Sequence, residues 1–121
     1  MNRYRFIAPL LVCLLCGCGE TPHSTIDETG RVEMLVMDLT DMASRPDKLK
    51  ETFATGSEPP DADVQRYRTL ILRPRKTTFS GETATINVQV DNAQGGAKIG
   101  DVVWTAVKEN GAWRLKTAPL P

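Results

Sequence analysis

Beyond position 18 this 121-residue chain has no cysteine, and beyond position 23 it has no histidine. These absences exclude a disulfide framework, a Cys/His metal site and a cysteine–histidine nucleophile from everything downstream. An excess of charge is missing too, with 15 basic residues against 15 acidic ones, which argues against nucleic acid as the main partner. No apolar run reaches the length of a spanning helix, since the longest, Phe6 to Leu15, holds about ten residues. The glycine pair Gly95-Gly96 is not followed by Lys-Ser/Thr and opens no helical pattern, so it is not a phosphate cradle. No Asp-x-Asp-x-Asp-Gly calcium loop occurs. Neither a metal nor a cofactor is therefore expected.

The three cysteines, Cys13, Cys16 and Cys18, all fall in a segment with export character. Arg3 and Arg5 give it a positive start, and the Phe6–Leu15 run matches the core of a signal peptide. The end of the run, Leu15-Cys16-Gly17-Cys18, resembles a bacterial lipobox, in which a small residue precedes the cysteine that is lipidated and becomes N-terminal. Gly17 suits that place before Cys18, whereas bulky Leu15 precedes Cys16. Three acyl chains on Cys18 would make a lasting membrane anchor, because each buried methylene contributes roughly 0.8 kcal/mol. Gly19 rather than Asp after the lipid cysteine resembles the signal that sends lipoproteins to the outer membrane of a Gram-negative cell. The expected division is a signal peptide over 1–17, a lipidated tether over 18–25 holding the lone His23, and one domain over 26–118. Loss of Arg3 and Arg5 turns the neutral precursor into a slightly acidic exported chain.

Within the domain, Thr25 and Glu28 have capping-box spacing, and Val32, Leu35, Leu39 and Met42 recur at helical intervals. Met34, Met37 and Met42 at such spacing are read as core filler, with an adaptable binding surface as the alternative. Ser44 and Asp47 suggest the cap of a short second helix that buries Leu49 and Phe53. Gly56 to Asp61 breaks regular structure. Four strands are then expected. The first is Tyr67–Arg73, stopped by Pro74, and the second is Thr83–Asp91, with Ala84, Ile86, Val88 and Val90 on one face. The last two, Val102–Lys108 and Ala112–Thr117, flank Asn110-Gly111, a strong hairpin signal because both central residues of a type I′ turn need positive φ. That register pairs Glu109 with Ala112 and puts Trp104, Ala106, Trp113 and Leu115 on one face. The order implies an α+β domain, N-terminal helices packed on a curved antiparallel sheet of about four strands.

The stretch Gly81 to Val90, followed by Val107 to Leu115, is similar to small bacterial lipoproteins of unknown function in the nuclear transport factor 2-like, cystatin-like superfamily. Those proteins carry a "GDTATV" strand and a closing "VKEDGKWKI" hairpin. The resemblance implies a cone-like fold whose concave sheet is lined by helices. The superfamily holds dehydratases, isomerases and polyketide cyclases beside non-catalytic binding and assembly modules, so fold alone does not select a function. The absence of histidine inside this domain departs from the enzymatic branches.

Three sets of residues are candidates for function. Tyr67, Trp104 and Trp113 would line a small-ligand site on the concave sheet, or else form core. Arg66, Arg68, Arg73, Arg75 and Lys76 gather positive charge in a short stretch, suited to an anionic surface or an acidic partner, or else decorate an exposed strand face. Asp38, Asp41 and Glu51 are the carboxylates that acid/base catalysis would need, or else are solvated. The expectation is a non-catalytic envelope lipoprotein, held to the membrane by Cys18, that binds an unidentified protein or small molecule and not nucleic acid. The alternatives are a small acid/base enzyme and an interaction protein using the basic stretch 66–76.

Overall fold

A computed structural model describes residues 28–121. The export segment, Cys18, His23 and the Thr25 cap lie outside the described residues. Of the two compact units, the first contributes only residues 28–30, which are helical, and the second, Arg31–Pro121, carries the fold.

Residues 28–42 form helix α1. Its buried stripe is Val32, Val36, Leu39 and Ala43, all under 7% exposed, in place of the expected Val32, Leu35, Leu39 and Met42. Both sets fit a helical period, and the choice falls to the smaller, stiffer side chains that let helix and sheet approach closely. Leu35 and Met42 flank the stripe, half-buried. Met34 and Met37 stand outside it and are 50% and 48% exposed, so the core-filler reading fails for both.

Helix α2 is Pro46–Thr52. Its N-cap is Arg45, in extended conformation, and not Ser44. Pro46 occupies the first turn, and a proline forces the residue before it out of helical geometry, which fixes the boundary one residue later than the expected cap. Phe53 follows, 2% exposed, and bridges in parallel to Leu115.

The sequence reading misses helix α3, Asp61–Tyr67, where it expects a connector leading into a strand. Seven residues are too few to hold a helix alone. Asp61 and Asp63 in the first turn and Arg66 in the last complement the helix dipole, and buried Tyr67 with half-buried Val64 ties the helix to the core.

The sheet is a four-stranded antiparallel meander in the order β1-β2-β3-β4, comprising Leu70–Ser80, Thr83–Asn92, Lys98–Glu109 and Ala112–Thr117. β1 does not stop at Pro74. As an edge strand it tolerates a residue without an N–H, and the ladder absorbs the irregularity as a register shift between Pro74 and Lys76. The alternation read in β2 holds, with Ala84, Ile86, Val88 and Val90 all at most 1% exposed. So does the hairpin: Glu109 pairs with Ala112, and Asn110 and Gly111 take φ of 50° and 82°. Trp104, Ala106, Trp113 and Leu115 share the buried face. On the other face the register aligns Thr78, Thr85, Thr105 and Thr117 in one row across all four strands. Such cross-strand threonine pairs stabilise a sheet that is open to water, and Thr105 and Thr117 hydroxyls meet at 2.7 Å.

The last residues, expected to add nothing after 118, form a strap. Ala118 is buried, Leu120 packs on the core, and Pro121 lies 3.2 Å from where a side chain on Gly100 would begin.

Candidate functional site

The proposed ligand-lining residues lie in the core. Trp104 has no exposed surface, and its ring N–H donates to the Pro119 carbonyl at 2.8 Å. Tyr67 meets Trp104 edge to face, with centroids 6.1 Å apart, and its hydroxyl donates to the Ala118 carbonyl at 2.5 Å. The strap thus consumes the two donors that a ligand in a concave site would use. Burial, with the negative charge of Asp63 second, pushes the Tyr67 phenol well above its ordinary range. Trp113 packs edge-on against Phe79 at 5.5 Å, and the Lys108 ammonium sits 5.8 Å from its ring centre. An aromatic pair with its polar ends satisfied reads as packing. Tyr67 also contributes to the wall of an open groove of about 420 Å³ with Phe53, Asp63 and Lys116, but its hydroxyl is already committed to the strap.

The basic stretch is not one strand face. Arg66 belongs to α3 and donates to the Pro121 carbonyl at 3.1 Å, while Arg68 caps the helix and donates to Gln65 at 3.2 Å. Arg73, Arg75 and Lys76 lie on β1. Arg73 pairs with Asp91 at 2.7 Å, and the Gln89 amide donates to the other Asp91 oxygen at 2.9 Å. These hydrogen bonds, Gln89 first and Arg73 second, hold the Asp91 carboxyl below the usual aspartate range. Asp91, 3% exposed, is the one buried charged residue among the described residues.

A depressed folded-state pKa means that the unfolded chain binds the proton more readily. The stabilisation from Asp91 is therefore complete above the ordinary value of 3.8 and is lost as pH falls through the lower, folded-state value. Asp91→Asn is expected to lower the unfolding midpoint near neutrality and to flatten its decline on acidification. Thermal unfolding of both proteins between about pH 6 and pH 2 measures this.

An open trough of about 560 Å³ is lined by Glu33, Met37 and Thr40 from α1 and by Leu70–Arg75 from β1. Consecutive strand residues point to alternate faces, so a groove walled by six in a row follows the strand edge. Thr40 spans it at one end, its hydroxyl donating to the Leu70 carbonyl at 2.8 Å. Arg75 also borders a smaller hollow of about 450 Å³ on the open sheet face, with Asn87, Gln89, Lys98, Asp101 and Val103. A Lys98–Asp101 ion pair of 2.8 Å neutralises part of that hollow. The trough escapes the sequence reading because no local pattern says which strand is an edge or which methionines face outward.

Asp38, Asp41 and Glu51 are exposed, and Asp41 makes a loose pair with Arg45 at 3.6 Å. Among the described residues no three His, Cys, Asp or Glu side chains gather as metal ligands, and no helix is long and apolar enough to cross a membrane.

No protein-family model matches this chain, and no curated protein is similar to it in sequence. Among solved structures it is similar to a substituted form of a protein named Rd1NTF2_05, with TM-score 0.57 and 11% identity over 76% of this chain and 95% of that one. It is also similar to a protein of unknown function with a cystatin-like fold from Nostoc punctiforme, with TM-score 0.52 and 15% identity over 79% of this chain and 88% of that one. At these identities the likeness shows the fold alone: the chain has the α+β fold of cystatin-like and nuclear transport factor 2-like proteins.

Proposed function

We propose that this chain is a bacterial envelope lipoprotein, anchored by acylated Cys18, whose domain is a non-catalytic interaction module. In a Gram-negative cell, Gly19 after the lipid cysteine favours the periplasmic side of the outer membrane. The observation that carries the reading is the contrast between the two sides of the fold. Toward the core, the Trp104 and Tyr67 donors are each satisfied by the chain itself. Toward solvent, the α1–β1 trough displays Met37, Arg73 and Arg75. Acid/base catalysis would need a carboxyl group raised in pKa and open to a substrate, and Asp91 is shifted the opposite way.

Fractionation of the intact protein tests the anchor. Wild type and Cys16→Ala are expected in the membrane fraction, released by detergent and not by salt, with an intact mass that starts at acylated Cys18. Cys18→Ala is expected to lose the acyl mass and the membrane association together. Membrane retention of Cys18→Ala, or release caused by Cys16→Ala instead, would overturn the assignment.

A further inference from the structure

We propose that the α1–β1 trough receives an extended, acidic segment of a partner protein, which pairs with the free edge of β1 as a fifth strand. The proposal rests on the reading of this chain as an interaction module and names what that module takes.

The backbone supplies the first reason. Among the described residues β1 pairs with a strand on one side only, β2, and an edge strand is a template for a further strand. Leu70–Arg75 forms one wall of the trough over about 20 Å, the length of a short strand. α1 forms the other wall and touches the edge through the Thr40 hydroxyl at Leu70. Pairing therefore starts at Leu72, the next residue whose backbone groups face away from β2 as the Leu70 carbonyl does.

Side chains then select the occupant. Arg75 and Lys76 are exposed and have no ion-pair partner among the described residues, and Arg73 keeps half its side chain in water while holding Asp91. A second copy of β1 would bring these three cations against their equals, and like charges facing each other across strands are destabilising. An acidic strand meets them with complementary charge. Glu33 lies on the opposite wall, so the acidic residues of the partner belong toward Arg75 and Lys76. Met37, 48% exposed, offers a flexible apolar contact for an alternate side chain. Pro74 and the register shift after it limit indiscriminate edge pairing, which leaves recognition to charge as well as backbone.

The test uses the full-length lipidated protein in uncharged detergent. The probes are a twelve-residue peptide of alternating valine and glutamate, its valine–lysine counterpart, and the glutamate peptide N-methylated at alternate amides. Fluorescence anisotropy is expected to show binding of the glutamate peptide alone. Arg75→Glu with Lys76→Glu is expected to weaken it by about tenfold or more, and added salt also weakens it. Hydrogen exchange is expected to slow at Leu72, the amide of this stretch that faces away from β2. Equal binding of the lysine or N-methylated peptide, indifference to the charge reversal, or protection elsewhere would overturn the proposal. So would binding of anionic phospholipid vesicles through Arg75 and Lys76 with no binding of the peptide, which would make the edge a headgroup surface. Both substituted positions are exposed, and an unchanged unfolding midpoint verifies that the double variant folds. Failure here with Cys18 still acylated refutes the peptide and leaves the anchored module standing.

Discussion

Replacing Trp104 with alanine is expected to destabilise the protein by about 3–5 kcal/mol, a large part of the about 5–15 kcal/mol that holds a domain folded. Trp104 has no exposed surface, pairs with Ile86 across β2 and β3, and touches Tyr67 edge to face. Its removal leaves a cavity bounded by a rigid sheet, and it strands the Pro119 carbonyl that its ring N–H serves. Urea unfolding followed by far-UV circular dichroism measures the loss. Trp104→Phe keeps most of the ring but not the donor, and is expected to cost less, about 1–3 kcal/mol. A ligand-lining tryptophan would behave differently: its alanine variant would keep near-wild-type stability and lose only a binding function.

The second large effect separates the two faces of α1. Leu39→Ala is expected to cost about 2–5 kcal/mol, because Leu39 is fully buried in the core cluster. Met37→Ala, only two residues away, is expected to change stability by less than about 0.5 kcal/mol, because that side chain is half exposed beside the trough. Equilibrium unfolding of the pair measures the difference. Similar losses for both would mean that the helix is rotated from the orientation described and that Met37 is core after all.

That rotation shows where the chain is readable and where it is not. The β2 strand and the closing hairpin follow from period-two alternation and from Asn110-Gly111, signals carried by adjacent residues. Their faces, their register at Glu109–Ala112 and the burial of both tryptophans were all legible. The stripe of α1 was not. Val, Leu and Met are all apolar enough, and only the surface opposite them decides which four face inward. α3 escaped because Tyr67 reads equally well as a strand residue, and its helix owes its stability to tertiary contacts. Pro74 reads as a stop in the sequence, since the tolerance of an edge strand for proline depends on which strand lies at the edge. The basic stretch was visible as composition. Its division between a helix end, an Asp91 ion pair and two unpaired side chains required the turn at Arg68-Thr69 to be known.

The candidate site was legible only in its ingredients. Arg73, Arg75 and Met37 each stand out in the sequence, yet nothing local joins a residue of α1 to the edge of β1. The strap is the sharper case. Four residues that end the chain without regular structure supply the acceptors for Tyr67, Trp104 and Arg66. They thereby hold Tyr67 and Trp104 in the core, and the proposed recognition surface is the trough.

Site-specific photo-crosslinking in intact cells tests that claim most directly. A photoreactive residue is placed at Met37 in the trough, or at Thr85 on the open sheet face, of the lipidated protein. The account predicts a discrete protein adduct from position 37 that disappears when Arg75 and Lys76 are reversed to glutamate, and no such adduct from position 85. An adduct from position 85 alone, or one at position 37 that ignores the charge reversal, would contradict it.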